Sequence, residues 1–296
     1  MDLETFIVAV YVQIDDALRT WLGPRRLRQR GPAPILADSE VLTMEVVGEF
    51  LGIDHDSAIV AYFRRHHLSL FPAIGTVHRT TFARQAANLW VAKAALWEQI
   101  VAAVPHDPNL ALIDSVPAPV CRYGHAPRCQ RFRGTASYGW DASSRCVYYG
   151  LRHHLRVSWP GIVTALSVAP APVHDHDLVP ELVAGQTGLV RGDRNYWNPH
   201  LRTELATTQL TLLTPFRKRS RDPRPATSRL LDRVRRQIET TASQLVERYH
   251  VNRLWARDAW HLTSRLLRKV LSHTLAILLN VEQDSPHPRQ LARLLT

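Results

Sequence analysis

The stretch Leu110–Ser115 (LALIDS) constrains the fold most. An apolar run bounded by turn residues reads as a buried strand, and a buried strand does not end on an unpaired carboxylate. Asp114 therefore belongs where a strand emerges into a cleft, next to a cation. Gly188–Asp193 (GLVRGD) repeats the arrangement, with an apolar strand followed by Asp193. A third acid, Glu239, lies within an amphipathic helical pattern, RRQIET over Arg235–Thr240. Two strand-end aspartates and a helical glutamate form an oxygen-rich set suited to hard divalent cations acting on a phosphodiester.

Around these acids the pattern is α/β. Strands are expected at 110–114, Cys146–Leu155 and Ile162–Val168, as neighbours in one sheet, with a turn at Trp159–Gly161 between the last two. A short helix over Leu178–Ala184, the strand ending at Asp193, a helix capped by Asn198 with Pro199 at its first position, and a strand over Leu210–Thr214 come next. Leu230, Val234, Ile238, Leu245 and Tyr249 recur at close to 3.6-residue spacing and predict a long helix carrying Glu239. The order matches a ribonuclease H-like mixed sheet flanked by helices.

Residues 1–105 read as an all-helical domain preceding it. Phe6, Ile7, Val10, Tyr11, Ile14, Leu18 and Trp21 form one apolar face, broken at Gly23–Pro24. A second helix is capped by Asp38 or Ser39, with a stripe of Val41, Leu42, Val46 and Phe50 and Glu45 on its exposed edge. A third covers Asp56–His67, and Thr76–Val104 supplies a longer helix or a pair. The boundaries expected are 1–105 helical, 106–282 catalytic and 283–296 a short tail.

The charge balance narrows the partner. Thirty-seven Lys and Arg against 26 Asp and Glu give +11, with a pI near 10.2. Such an excess implies a polyanion, because each phosphate neutralised releases condensed counterions. Nucleic acid is the first candidate and an anionic membrane surface the second. Basic loops between short helices suit a helix-turn-helix-like DNA-binding domain, with a bundle that only packs on the catalytic domain as the alternative. A dense basic track, Arg217, Lys218, Arg219, Arg221 and Arg224, continues through Arg235 and Arg236 to Glu239 and is expected to grip DNA phosphates, with a solvated loop as the alternative.

Other features point elsewhere. The start, Met1–Glu4, is acidic rather than basic, so no secretory segment is expected. Leu262–Val281, the most apolar stretch, is interrupted by Arg265, Arg268, Lys269 and His273 and does not read as a membrane span. Cys121, Cys129 and Cys146 form no CxxC pair, which suits a reducing cytosol. Cys121, His125 and Cys129 lack a fourth zinc ligand and a usual spacing. In His174–Asp177 the expected role is a helix cap by Asp175 rather than metal binding. Trp140, Trp159 and Trp197 are expected in the core, with stacking on flipped bases the alternative.

Five motifs occur in order: Ile113–Cys121 (IDSVPAPVC), Tyr148–Leu155 (YYGLRHHL), Ala169–Asp175 (APAPVHD), Gly192–Tyr196 (GDRNY) and Arg235–Thr240 (RRQIET). Together they resemble the DDE transposases of bacterial insertion sequences, most closely insertion-sequence family 982, over about Leu36 to Leu279. The resemblance implies that Asp114, Asp193 and Glu239 are the catalytic, metal-holding acids, with Mg²⁺ or Mn²⁺, two ions, as cofactor. It implies cleavage at element ends and joining of the freed 3′ hydroxyl to target DNA. It further implies double-stranded DNA partners (terminal inverted repeats and target), a homodimer in the synaptic complex, and a cytoplasmic, nucleoid-associated location. Arg194–Asn195 stands where the family usually has Lys-Gly; Asn195 tolerates the left-handed backbone a glycine would supply. Arg235 fits the signature around the helical glutamate, while Asp232 and Val246 occupy its outer positions. A catalytically silent or domesticated DNA-binding protein and a ribonuclease H-like nuclease are the alternative functions.

Overall fold

The structure, a computed structural model, describes residues 1–28, 31–142, 144–215 and 239–295. The chain divides into two compact units. One comprises Met1–Val104, Glu247–Val251 and Asp258–Thr296; the other comprises Pro105–Val246 and Asn252–Arg257.

The first unit is helical: α1 (Leu3–Leu22), α2 (Asp38–Phe50), α3 (Asp56–His66), α4 (Arg79–Asn88), α5 (Trp90–Ala103) and α8 (Ala259–Glu282). Asp2 caps α1, accepting from the Thr5 N–H at 2.8 Å, and Phe6, Ile7, Val10, Ile14 and Leu18 are its buried face. The stretch 76–104 forms a pair of helices. Asp38 does not cap α2; its carboxylate holds Arg28 at 2.7 and 2.8 Å and accepts from Gln85.

Two further features of this unit differ from what the sequence leads one to expect. Residues 258–296 cluster with the helices, whereas the expected second boundary lay near 282. The cause is α8, which packs on α5, α2 and α4 and is buried on nearly every side from Leu262 to Asn280. Glu45, expected on an exposed edge, is 1% exposed. Helix α2 is surrounded rather than half-covered, so its polar residues are enclosed as well.

The enclosed charges neutralise one another. Lys93 Nζ lies 2.6 Å from Glu45, and Lys269 Nζ 2.6 Å from Glu49. Arg268 bridges Glu45, Glu49 and Asp56. Burial raises the Asp56 carboxyl, but Arg268 and Arg265 more than offset this and hold it below its ordinary value. Among the described residues, no helix is long and apolar enough to cross a membrane.

The second unit is a mixed α/β fold. Its sheet contains β1 (Asp107–Pro119), β2 (Ser137–Asp141), β3 (Cys146–Trp159), β4 (Ile162–Pro170), β5 (Gly188–Arg191) and β6 (Leu210–Leu213). Strand β1 is central, antiparallel to β3 on one edge and parallel to β5 on the other. Beyond β3 lie β4 and β2, both antiparallel to it; beyond β5 lies β6, parallel. The neighbouring strands expected at 110–114, 146–155 and 162–168 are thus β1, β3 and β4. Helices α6 (Val179–Leu182) and α7 (Pro199–Thr207) cover one face. They pack with Ala111, Ile113, Val190 and Leu212 into the core. Asn198 caps α7 as expected, accepting from the N–H groups of His200 and Leu201. Segment 239–243 is helical and passes into a π-helical turn at Gln244–Arg248, while the rest of the long helix expected from Leu230 lies outside the described residues.

The ionic cluster makes a stability prediction. Glu49→Ala leaves Arg268 and Lys269 short of a shared counter-charge in a dry environment and costs about 3–5 kcal/mol. Urea denaturation measures it, and a loss no larger than that of an exposed acid, Glu282→Ala, would contradict the role.

Candidate active site

Because successive strand residues face opposite sides, the face Ala111 and Ile113 give to the core leaves Leu112 and Asp114 to the other. The parallel ladder pairs Leu110 with Leu189, Ala111 with Val190 and Leu112 with Arg191. Two residues further along each chain stand Asp114 and Asp193, on the same side of the sheet. Both are partly exposed. Glu239 enters from the helical segment 239–243, which Thr241 fastens to the β3–β4 turn by donating to the Gly161 carbonyl at 3.1 Å. Asp114, Asp193 and Glu239 line one small cavity, with Arg191 and Gly192. Its volume is about 20 Å³, enough for one water-sized guest.

Each aspartate also has a local structural partner. Asp114 Oδ1 accepts from the Ser115 N–H at 2.8 Å. Asp193 caps the turn Arg194–Tyr196, accepting from the Asn195 N–H at 2.8 Å and its side-chain amide at 3.2 Å. Capping and ligand binding are compatible, because a carboxylate offers about four lone-pair sites. Asn195 closes this turn with ordinary negative φ, so the left-handed conformation anticipated there is not used.

Tyr196 was not singled out from the sequence, yet it underlies the site. It is wholly buried beneath the strand ends. Burial first, then the charges of Asp175, Asp114 and Asp193, push its phenol far above the ordinary value, so it stays protonated. A Cβ on Gly192 would lie 2.7 Å from both Cβ and Cγ of Tyr196, so only glycine lets the ring fold back here. The pattern GDRNY carried the signal, but only the fold shows the contact.

Asp175 is buried and takes Arg152 Nη1 at 3.0 Å. This replaces the expected helix cap, since His174 precedes that short turn and makes no side-chain cap. Arg152 also donates to the Trp140 carbonyl at 2.9 Å. His153 and His154 beside it are fully buried, and burial lowers them to about 3 and about 4, so both are neutral at pH 7.

From the aspartates an open cleft of about 1210 Å³ extends past β2 and the 171–176 loop. Trp140 and Trp197, expected in the core, line it and are 55% and 45% exposed. The basic residues Arg217, Lys218, Arg219, Arg221, Arg224, Arg235 and Arg236 lie outside the described residues. Among the described residues no group of three or more His, Cys, Asp or Glu side chains is placed to hold a metal ion. This holds for Cys121, His125 and Cys129 and also for His174–Asp177. Asp114, Asp193 and Glu239 do not form such a group either; they share the lining of the small cavity as an all-oxygen donor set. Such a set fits an ion like Mg²⁺, which retains waters and takes its remaining oxygens from substrate phosphate.

The mixed sheet thus brings two aspartates from adjacent parallel strands to a cavity that a glutamate also lines. Residues 106–258, more than half of the chain, match the family model described as Transposase DDE domain. The chain belongs to this family of DNA-binding transposases, enzymes of the nuclease and transferase class that act in transposition and recombination and generally use divalent metals. Comparison with curated proteins and with solved structures gives no match.

The Gly192–Tyr196 contact is testable by a double-mutant cycle. Gly192→Ala costs about 1–3 kcal/mol through overpacking, and much less in a Tyr196→Gly background, which removes both the Cβ and the ring. Equal costs in the two backgrounds would show that the ring is not what requires glycine.

Proposed function

We propose that Asp114, Asp193 and Glu239 are the catalytic acids of a transposase that cleaves element ends and joins the freed 3′ hydroxyl to target DNA. The observation that carries this reading is the register Leu112 to Arg191, which brings both aspartates to one side of adjacent strands beside the cavity that Glu239 also lines. The sheet supports a ribonuclease H-like fold: an antiparallel β4–β3–β1 half continued by parallel β5 and β6. We further assign the chain to the type of insertion-sequence family 982, on the five ordered motifs.

The three carboxylates would hold Mg²⁺ or Mn²⁺, two ions during reaction, which activate the attacking oxygen and stabilise the leaving one. The chain's own contribution is to hold these carboxylates. Asp193 is oriented by its turn, Asp114 by the strand and the Ser115 N–H, and the neutral Tyr196 phenol beneath them adds no competing charge. In the first step a water oxygen bonds to phosphorus and the 3′ oxygen leaves as a hydroxyl. In the second, that hydroxyl's oxygen attacks a target phosphorus and the target strand's own 3′ oxygen leaves.

The helical unit (residues 1–105 in the sequence reading) and the basic track Arg217–Arg236 are proposed to bind DNA phosphates. Exposed Arg25, Arg26, Arg65, Arg79 and Arg84 support the first assignment. Two copies would bring the two element ends together, in a cytoplasmic, nucleoid-associated setting.

The test is nicking of DNA carrying the ends that flank the gene, with Mg²⁺ or Mn²⁺. Wild type is expected to nick at the boundary, and Asp193→Asn and Glu239→Gln to lose about 10²-fold or more while binding DNA normally. Specific binding by folded wild type without nicking would favour a binding-only protein. Preferential cleavage of an RNA–DNA hybrid would favour a ribonuclease.

A further inference from the structure

We propose that the cleft beside Asp114 and Asp193 receives unpaired DNA bases, which stack on Trp140 and Trp197. The inference rests on reading this cleft as the DNA-processing site and adds the state of the DNA that occupies it.

Strand β2 is built to present its aromatic face outward. Along Ser137–Asp141, Tyr138 and Trp140 are exposed, and Gly139 turns to the other side. A Cβ on Gly139 would lie 2.6 Å from the Ala171 Cβ and 3.1 Å from its carbonyl, so this face lies directly on the 171 backbone. A one-residue slip would drive an indole or a phenol into that contact, so the register is fixed. Trp140 pairs across the ladder with Val147, itself 42% exposed. Its carbonyl is tied through Arg152 to buried Asp175. The Trp140 backbone is therefore anchored while its ring stays open to the cleft.

Trp197 arrives from a separate element. It comes directly after the turn capped by Asp193, and its N–H donates to the Arg194 carbonyl at 3.2 Å. The same short turn thus positions an aspartate of the site, the exposed Arg194 and an exposed indole. Two large indoles from different elements, both backbone-anchored, line one open cleft that ends at the carboxylates.

Paired bases bury their faces in the stack and offer only edges and phosphates. An indole face gains from a nucleic acid chiefly when a base has left the stack, and the stacking is tolerant of sequence. Exposed Arg194 provides a cation for the phosphate of the same strand. The occupant that uses all of these groups is a frayed or single-stranded segment adjoining the scissile phosphate.

The experiment measures anisotropy of labelled oligonucleotides with the full chain and no divalent metal, so that cleavage cannot intervene. The probes are a short oligothymidine strand, a blunt duplex of equal length and an oligouridine strand. Trp140→Ala and Trp197→Ala are each expected to weaken oligothymidine binding about tenfold and to leave duplex affinity unchanged. Trp140→Phe, which keeps an aromatic face and guards against a folding artefact, is expected to retain most of the affinity. Unchanged oligothymidine affinity in both alanine variants, or equal losses on strand and duplex, would overturn the proposal. So would markedly tighter binding of oligouridine than of oligothymidine. Cleavage by wild type is scored separately. Stacking without cleavage counts against the proposed function alone, and cleavage with no effect of either alanine substitution on strand binding counts against stacking alone.

Discussion

The parallel pairing of β1 with β5 sets the geometry on which the site depends. With Leu112 opposite Arg191, the two chains leave the sheet side by side, and the residue two positions on is an aspartate in each. Alternation of side chains commits Ala111, Ile113 and Val190 to the core beneath α6 and α7. A slip of one residue would invert these strands, exposing the core residues and burying the acids. The hydrophobic energy of the core thus fixes where the charges emerge.

The residues just after each aspartate refine that position. Beyond Asp193 the chain turns at once, with the carboxylate capping the turn, and Gly192 allows Tyr196 to fold back under the strand end. Tyr196, kept protonated and therefore uncharged, fills space below the acids. The Arg152–Asp175 pair steadies the floor of the neighbouring cleft and, through the Trp140 carbonyl, the strand that borders it. The helical unit is stabilised differently, by a buried set of three cations and three acids gathered from four helices.

Much of this was legible in the sequence because the signals were local. Apolar runs ending in Asp gave β1 and β5, β-branched and aromatic runs gave β3 and β4, and the Asn198–Pro199 cap gave α7. Strand β2 was missed because SYGWD is short, contains glycine and carries its large residues on the exposed side. Helix α8 was read only as an interrupted apolar run. Arg268 and Lys269 find their acids in α2 and α3, more than 200 residues earlier, and no local pattern reports such a pairing. Glu45 was misplaced for the same reason, since a stripe of apolar residues shows one buried face and not that the helix is enclosed. Trp140 and Trp197 were expected in the core by residue type alone, whereas Gly139 and the turn after Asp193 decide their direction.

Asp114, Asp193 and Glu239 are proposed to face one cation site. Hydroxyl-radical cutting by Fe²⁺ substituted for Mg²⁺ tests it directly, because the radicals cleave backbone only near the bound ion. Cuts are expected near 114, 193 and 239, suppressed by excess Mg²⁺. Cuts confined to 121–129 or 174–177, or none that Mg²⁺ suppresses, would contradict it.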